Sequence, residues 1–280
     1  MDFNVIAIKT GYFKPYEGYS NLVMEISSCC EDDDIIFISE TPISTIEGNL
    51  VDESGFTPGF LAVLITEFWC RYLWGYILCP LFGYGRRTTL NLRNMPVEAR
   101  KHKEFILERY GLKHALQPTA EAGVDLSNVP GSCVSLLPDN PCESARIIKK
   151  LIFDECGKSV DVVIIDTDPT YSFLGRYYTT LPLSIEGIHN DTGVFGYVVR
   201  IFSKRIGATV LASTADMNLK ELFMLANLCE DCQRNESDNF FETVYNMKDT
   251  FKTGFDEISV EMLDGVEHVP AVIIRKPNYL

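Results

Sequence analysis

The sequence predicts a single composite domain of mixed α and β structure, spanning residues 1–280, in which short buried strands alternate with amphipathic helices. Three observations predict it. Six apolar runs rich in β-branched residues lie near turn or breaker residues. Stretches with helical periodicity fall between them. The chain also carries no internal repeat at periods of 20 to 50 residues, no low-complexity tract and no Pro/Gly/Ser-rich linker that would divide it.

The strands are FNVIAIK (3–9), DIIFISE (34–40), VSLL (134–137), DVVIID (161–166), ATVLAS (208–213) and AVIIRK (271–276). Among the helices, 97–110 follows Pro96 at a first helical position, turns Phe105, Ile106 and Leu107 inward and stops at Gly111. A second, 144–156, stacks Ile147, Ile148, Leu151 and Ile152 on one face and stops at Gly157. Leu219, Leu222, Phe223 and Ala226 mark a third, with Asp216 or Thr214 as its cap. The most apolar stretch, 60–84, is interrupted by Glu67, Arg71 and Pro80, so no unbroken run reaches the ~18 residues of a membrane span. It reads as a buried helix followed by a loop. The polar stretch 229–239, CEDCQRNESDN, reads as an exposed loop or flap.

The 280 residues are 46% hydrophobic and 23% charged, an ordinary globular composition that excludes a mainly disordered or fibrous chain. Lys+Arg 25 against Asp+Glu 39 gives a net charge of −14, which argues against general binding to nucleic acid or to an anionic membrane. Any anion site is therefore local. The odd count of 9 cysteines and an N-terminus, MDFNVIAIKTGYF, without the pattern of a secretory signal lead us to expect reduced thiols in the cytoplasm. Cys229 and Cys232 form a lone CxxC with no second pair at zinc-ribbon spacing and no preceding strand of the thioredoxin kind. His102, His114, His189 and His268 are isolated, and neither G-x-S-x-G nor a P-loop occurs, which sets aside serine-hydrolase and P-loop NTPase chemistry.

Four segments offer chemistry. The strand DVVIID ends in Asp166, Thr167 and Asp168 and is stopped by Pro169. Such oxygens are hard ligands suited to Mg²⁺ or Mn²⁺, although an Asx turn before proline has the same pattern. In EAGVDLSNVPGS (121–132), Gly123 permits close backbone approach, Asp125 can ligate a cation and Asn128 can donate to a ring edge or sugar, or the whole is a capped loop. SETPISTIEGNLVD (39–52) offers Glu40, Thr41, Ser44, Thr45 and Glu47 in a turn that can cradle phosphate or be a solvated β-turn. Arg86, Arg87, Arg93, Arg100, Lys101 and Lys103 reverse the local charge, either to steer an anionic substrate or as a helix face paired with acidic neighbours.

The order of these segments, ISTIEG after a strand, then AGVDLSNV, then a helix ending in GK, then VIIDTD, and VPAVIIR near the C-terminus, resembles the coenzyme F420-0:L-glutamate ligase family. The resemblance runs from Val5 to about Asn227 and resumes at Val269 to Arg275. It implies an α+β fold of intertwined mixed β-sheets, a homodimer, and a reaction in which GTP (or ATP) and Mg²⁺ or Mn²⁺ serve to join glutamate to a flavin-like or other anionic coenzyme acceptor. Carried over, it implies that Asp125, Asp166 and Thr167 bind metal, that Asn128 contacts the nucleotide, and that Gly11, Tyr12, Phe13, Lys14, Glu40 and Thr41 fall on nucleotide-contacting positions. Asp125 and Asp166 would carry catalysis, with Arg86 and Arg87 on the anionic substrate.

The chain also departs from the family. Thr45 stands at the nucleotide-site position where the family has a lysine, and Arg86, Arg87 and Lys14 are the candidates to replace that cation. The family's DTxGR becomes DTDPTY, its glycine-rich nucleotide loop becomes CEDCQRNESDN, and FWCRYLWGY (68–76) has no counterpart. Three readings follow: a ligase with a changed acceptor, a homologue that binds nucleotide or coenzyme without ligating, and a phosphatase or nucleotidase.

Overall fold

Strands such as IIFIS and DVVII have no polar side to their alternation, so they belong in a sheet covered on both faces. The computed structural model, which describes residues 3–236, 247 and 250–276, places them there. The strands are β1 (Asn4–Thr10), β2 (Ile35–Ser39), β3 (Leu50–Asp52), β4 (Cys133–Ser135), β5 (Asp161–Phe173), β6 (Arg176–Tyr178), β7 (Ile188–His189), β8 (Lys204–Ser213) and β9 (His268–Arg275). The main sheet has the order β1, β9, β2, β5, β6, β7, with β8 also paired to β5. It is mixed: β2 lies parallel to β5, whereas β9 is antiparallel to both β1 and β2, and β8 is antiparallel to β5. β3 and β4 form a separate antiparallel ribbon.

The helices are α1 (Ser20–Cys29), α2 (Glu40–Glu47), α3 (Phe60–Leu81), α4 (Arg86–Arg93), α5 (Ala99–Tyr110), α6 (Leu112–Ala115), α7 (Pro141–Cys156), α8 (Gly193–Val199), α9 (Leu219–Glu236) and α10 (Val260–Asp264). Ile36, Ile38, Val162, Ile164 and Ile273 face α1 and α7, while Phe37, Val163, Ile165, Val210 and Val272 face α9. The period of two thus feeds two cores on opposite sides of one sheet. A third core of Trp74, Leu92, Phe105, Ile106, Val134 and Tyr197 joins α3, α4, α5 and α8 to the small ribbon. The architecture is α+β with mixed sheets and interleaved helices.

Several expectations are corrected. Pro169 does not stop the strand: β5 runs on to Phe173, and Pro169 sits opposite Ala208 where the pairing register slips after Asp166. A bulge accommodates a residue with no N–H to give. The cap of α9 is Asn218, whose Oδ1 accepts the N–H groups of Lys220 and Glu221 at 3.1 Å, and not Asp216 or Thr214. Thr214 is spent elsewhere, accepting from the Val162 N–H and donating to Asp161. The segment from Cys229 to Glu236 is helical, with Cys229, Glu230 and Gln233 buried, because an apolar stripe continues through the polar letters. The rest of the expected flap, 237–239, lies outside the described residues. All nine cysteines are unpaired thiols.

The segment 60–81 is one continuous helix, wound with the wider π-type turn over Ile65–Leu78. Glu67 and Arg71 do not interrupt it, since they pair with each other and Arg100 joins Glu67 at 2.7 Å. By length and composition alone the helix is apolar enough to cross a membrane, and 33% of its most apolar window is buried. Its inner side anchors on Trp74, whereas Phe60, Phe68, Tyr72, Tyr76 and Leu81 stand exposed. The expected buried helix therefore has an open aromatic ridge, in which Phe68, Tyr72 and Tyr76 follow one another at ring separations of 6.0 and 6.2 Å.

Candidate functional site

The ends of β1 and β2, the bulge in the middle of β5, the turn before β4, and flanking parts of α5 and α9 line a cavity of about 1180 Å³. β2 delivers Ser39 to the start of α2, so Ser39, Glu40 and Thr41 present the positive end of that helix to the cavity. This corrects the turn expected in 39–52, which is helical from Glu40 to Glu47. Gly11 lines the same wall next to Tyr12 and Phe13, and a Cβ there would lie 2.9 Å from Asp264 Oδ1, the acceptor of the Tyr12 N–H. Gly123 has φ +71°, and a Cβ on it would approach Leu181 to 2.8 Å. Side chains there would push the turn carrying Asp125 away from the cavity.

Four carboxylates line this space: Glu40, Asp125, Asp166 and Asp168. Asp166 is 4% exposed, and its Oδ1 accepts the Asp168 N–H at 2.6 Å, so the Asx turn is present within the bulge of β5. Thr41 donates to Glu40 at 2.7 Å, and Asp125 accepts from the N–H and hydroxyl of Ser127 at 2.8 and 2.6 Å. Burial, opposed by the Thr41 bond and reinforced by Asp125, pushes Glu40 up to about 7. Burial and the charge of Asp125 push Asp168 to about 7, against the pull of Arg200. Asp166 is driven well above the ordinary carboxylate range by burial and then by Glu40 and Asp168, and burial raises Asp125 as well.

Such a group resists ionising fully unless a cation offsets its charge. Its donor set, hard oxygens with Thr167 beside them, fits a divalent ion of the Mg²⁺ or Mn²⁺ type. Among the described residues no three His, Cys, Asp or Glu side chains converge as a protein cage. An ion of that type needs only one or two protein carboxylates, with water or phosphate oxygens for the rest of its shell.

Gly11, Tyr12, Phe13, Glu40, Thr41, Thr45, Asp125, Asn128, Asp166 and Thr167 all line the cavity, so the structure brings these sequence-derived candidates together. Lys14, Arg86 and Arg87 are not in its lining. Lys14 lies past the end of β1 on the surface, and Arg86 and Arg87 open the exposed first turn of α4. Of the basic segment only Lys101 and Lys103 line it, beside His102, and they are joined by two arginines that the sequence does not mark, Arg205 on β8 and Arg234 on α9.

The wall around His102 and Lys103 is a buried ion network. Lys103, 1% exposed, donates to the carbonyls of Ala115 and Gln117 at 3.0 and 2.5 Å and to the Glu121 carboxylate. His102 Nδ1 lies 2.7 Å from Glu53, and its Nε2 lies 3.9 Å from Glu121. Burial opposes ionisation of both, yet Glu53 and Glu121 raise His102 to about 9, while Lys103 and His102 hold Glu121 down to about 2. The signal was present in the sequence, since His102 and Lys103 fall at helical spacing with Phe105 and Ile106 on the inner face of α5.

The sequence profile of the F420-0:Gamma-glutamyl ligase family matches residues 7–276. The chain is 38% identical to the uncharacterized protein MJ1361 of Methanocaldococcus jannaschii, over 96% of this chain and 94% of that one. It is 30% identical to the coenzyme F420:L-glutamate ligase of the same organism, over 58% of this chain and 59% of the relative. The same-named enzyme of Methanopyrus kandleri is 29% identical over 55% of each. With a match along nearly its whole length, the chain belongs to the F420-0:gamma-glutamyl ligase family.

Proposed function

We propose that this protein is a metal- and nucleotide-dependent amide ligase that attaches glutamate, or a similar amino acid, to a coenzyme-like acceptor through an acyl phosphate. The family supports a glutamate ligase role. The observation that carries the finer reading is that Glu40, Asp125, Asp166 and Asp168 line one cavity together with the N-terminus of α2. In the first step an acceptor carboxylate oxygen bonds to the γ-phosphorus of GTP or ATP and the nucleoside diphosphate leaves. In the second the amino group bonds to the acyl carbon, inorganic phosphate leaves, and the ammonium proton passes to solvent or base.

Asp125, Asp166 and Thr167 would hold Mg²⁺ or Mn²⁺, which when bound offsets charge on the transferring phosphoryl group. The N–H groups at the start of α2 orient phosphate oxygens, and Asn128 and Tyr12 face the rest of the nucleotide. The nine unpaired thiols suit a reducing cytoplasm. A second reading, a homologue that binds without ligating, is favoured by Thr45 at the lysine position and by Lys14, Arg86 and Arg87 lying outside the cavity.

Thermal unfolding with and without Mn²⁺ or Mg²⁺, crossed with GTP, ATP and no nucleotide, tests the proposal. The midpoint is expected to rise only when metal and nucleotide are both present, by the equivalent of about 2.7 kcal/mol at ~100 times Kd. No shift in any combination would favour the non-ligating homologue, and nucleotide hydrolysis without a glutamate requirement would favour a phosphatase.

We also infer a homodimer, with a second copy covering the ridge of α3. The ridge residues range from 84% exposed at Phe60 to 54% at Tyr72 and Tyr76. At 150–250 Å² per aromatic side chain, scaled by these exposures, the four aromatics present roughly 400–600 Å². That reaches the upper end of the ~300–600 Å² apolar patch of an ordinary monomer and would supply the apolar centre of the ~800 Å² that each partner buries in a stable interface. Light scattering should give a dimer for the wild type and a monomer for Phe68→Glu. A monomeric wild type, or a dimeric variant, overturns it.

A further inference from the structure

Two thiols meet at the end of the main sheet away from the cavity, and the path of the chain explains why. β2 begins at Ile35 and β5 at Asp161, and these two residues face each other in the parallel pairing of the strands. The helices that lead into them, α1 and α7, pack side by side on one face of the sheet. Positions equally far ahead of the two strand starts are thereby brought together, and Cys30 and Cys156 are such a pair. Their Sγ atoms lie 3.7 Å apart across 126 residues of chain, the only hydrogen bond between two thiols among the described residues.

The loops that follow the two helices hold this meeting in place. The Asp33 N–H donates to the Ser159 carbonyl at 2.8 Å, the Ser159 N–H to Asp32 Oδ1 at 2.8 Å, and the Asp161 N–H to the Asp34 carbonyl at 2.9 Å. Each thiol sits at a helix end: Cys30 is the extended residue that closes α1, and Cys156 is the last residue of α7, before Gly157 at φ +72°. A disulfide bond is about 2 Å long, so closure asks for an approach of less than about 2 Å, within the reach of side-chain rotation at a helix end. Cys30 is 7% exposed, and burial, with Cys156 beside it, pushes its thiol up to about 12. Cys156 is only half-buried and is the thiol that an oxidant reaches first.

We propose that Cys30 and Cys156 form a reversible disulfide that staples α1 to α7 when a small-molecule disulfide of the glutathione type supplies the oxidising equivalents. The Cys156 thiolate attacks one sulfur of that disulfide, whose S–S bond breaks and releases a first small thiolate. Cys30 then gives up its proton and attacks Cys156 Sγ, so that the Cys30–Cys156 bond forms and the second small thiolate leaves. The two protons end on the two small thiolates, and two electrons pass from the protein to the oxidant. A link that closes 126 residues of chain restricts the unfolded state far more than the folded one, so oxidation at this pair strengthens the fold.

The test exposes the fully reduced, full-length protein to excess oxidised glutathione, caps the remaining thiols with iodoacetamide in denaturant, and reads intact mass and a non-reducing peptide map. The expected product carries two fewer caps than the reduced control, and one peptide pair joins Cys30 to Cys156. Its unfolding midpoint should rise by about 5–15 °C and return on treatment with dithiothreitol. Oxidant should leave the midpoint of Cys156→Ser unmoved, whereas Cys29→Ser should respond as wild type does. The wild-type peptide map decides the pairing by itself if a variant fails to fold. Thiols at both positions that stay capped, a Cys156 that stops at the glutathione adduct, or a link from either cysteine to another such as Cys29 overturns the staple. A Cys30–Cys156 link that leaves the midpoint unchanged overturns it as well.

Discussion

Asp166→Asn is expected to abolish the metal-dependent stabilisation by nucleotide while leaving the protein folded. Asp166 sits where the register of β5 slips, buried, with its Oδ1 on the Asp168 N–H. Asparagine keeps an oxygen for that bond and nearly the same volume, so the bulge persists. What is lost is a charge that, by the proposal, divalent ions require. In the metal-free state the loss also relieves repulsion from Glu40 and Asp168, so the variant should unfold at or above the wild-type midpoint. Midpoints measured with metal, with GTP and with both decide it. A variant that keeps the full joint shift sinks Asp166 as a metal ligand, and one that unfolds at room temperature sinks the argument about the bulge.

Lys103→Met should produce the largest loss of stability of any single change on the cavity wall. Methionine fills the volume, but Glu121 is left buried with its nearest cation gone and two carbonyls lose their donor. Removing one partner of a buried pair typically costs about 3–5 kcal/mol, which urea titration reads directly. Lys103→Met/Glu121→Leu should recover a large part, because no uncompensated charge remains. A single variant within about 0.5 kcal/mol of wild type would show that the network is not buried in solution.

The same network has a pH signature. His102, raised from 6.5 to about 9, contributes stability that is complete below pH 6.5 and disappears as pH rises through 9. Glu121, lowered from 4.5 to about 2, contributes above pH 4.5 and loses that as pH falls through 2. The network's contribution is therefore whole between pH 4.5 and 6.5 and declines on either side.

The strands were legible because their apolar alternation is a local property, and all six expected runs overlap strands, although β4 takes only Val134 and Ser135 of VSLL and β2 ends before Glu40. The two-residue β7 and the short β3 and β6 carry too few letters to show a period. Pro169 misled because a bulge is decided by the partner strand, here Ala208, which lies far away in sequence. CEDCQRN looked like a loop for the same reason, since Glu230 and Gln233 are buried by contacts to Arg205, Ser39 and Val269 that no local pattern announces. Asp125 and Asp166 could be picked out one by one from strand ends and turns. That Arg205 and Arg234 share their cavity while Arg86 and Arg87 do not follows only from the path of the chain.

The position of α9 has a consequence for how this protein can change. Cys229, fully buried against the sheet, is the immediate neighbour of Glu230, and a single rigid rod connects Leu222 and Phe223 in the core to Gln233 and Arg234 at the rim. Repacking under the rod cannot move one end without the other. A substitution that repacks the core beneath Leu222 and Phe223 would therefore also shift the cavity wall at Gln233 and Arg234, so changes in heat tolerance and changes in the shape of the cavity would tend to arrive together.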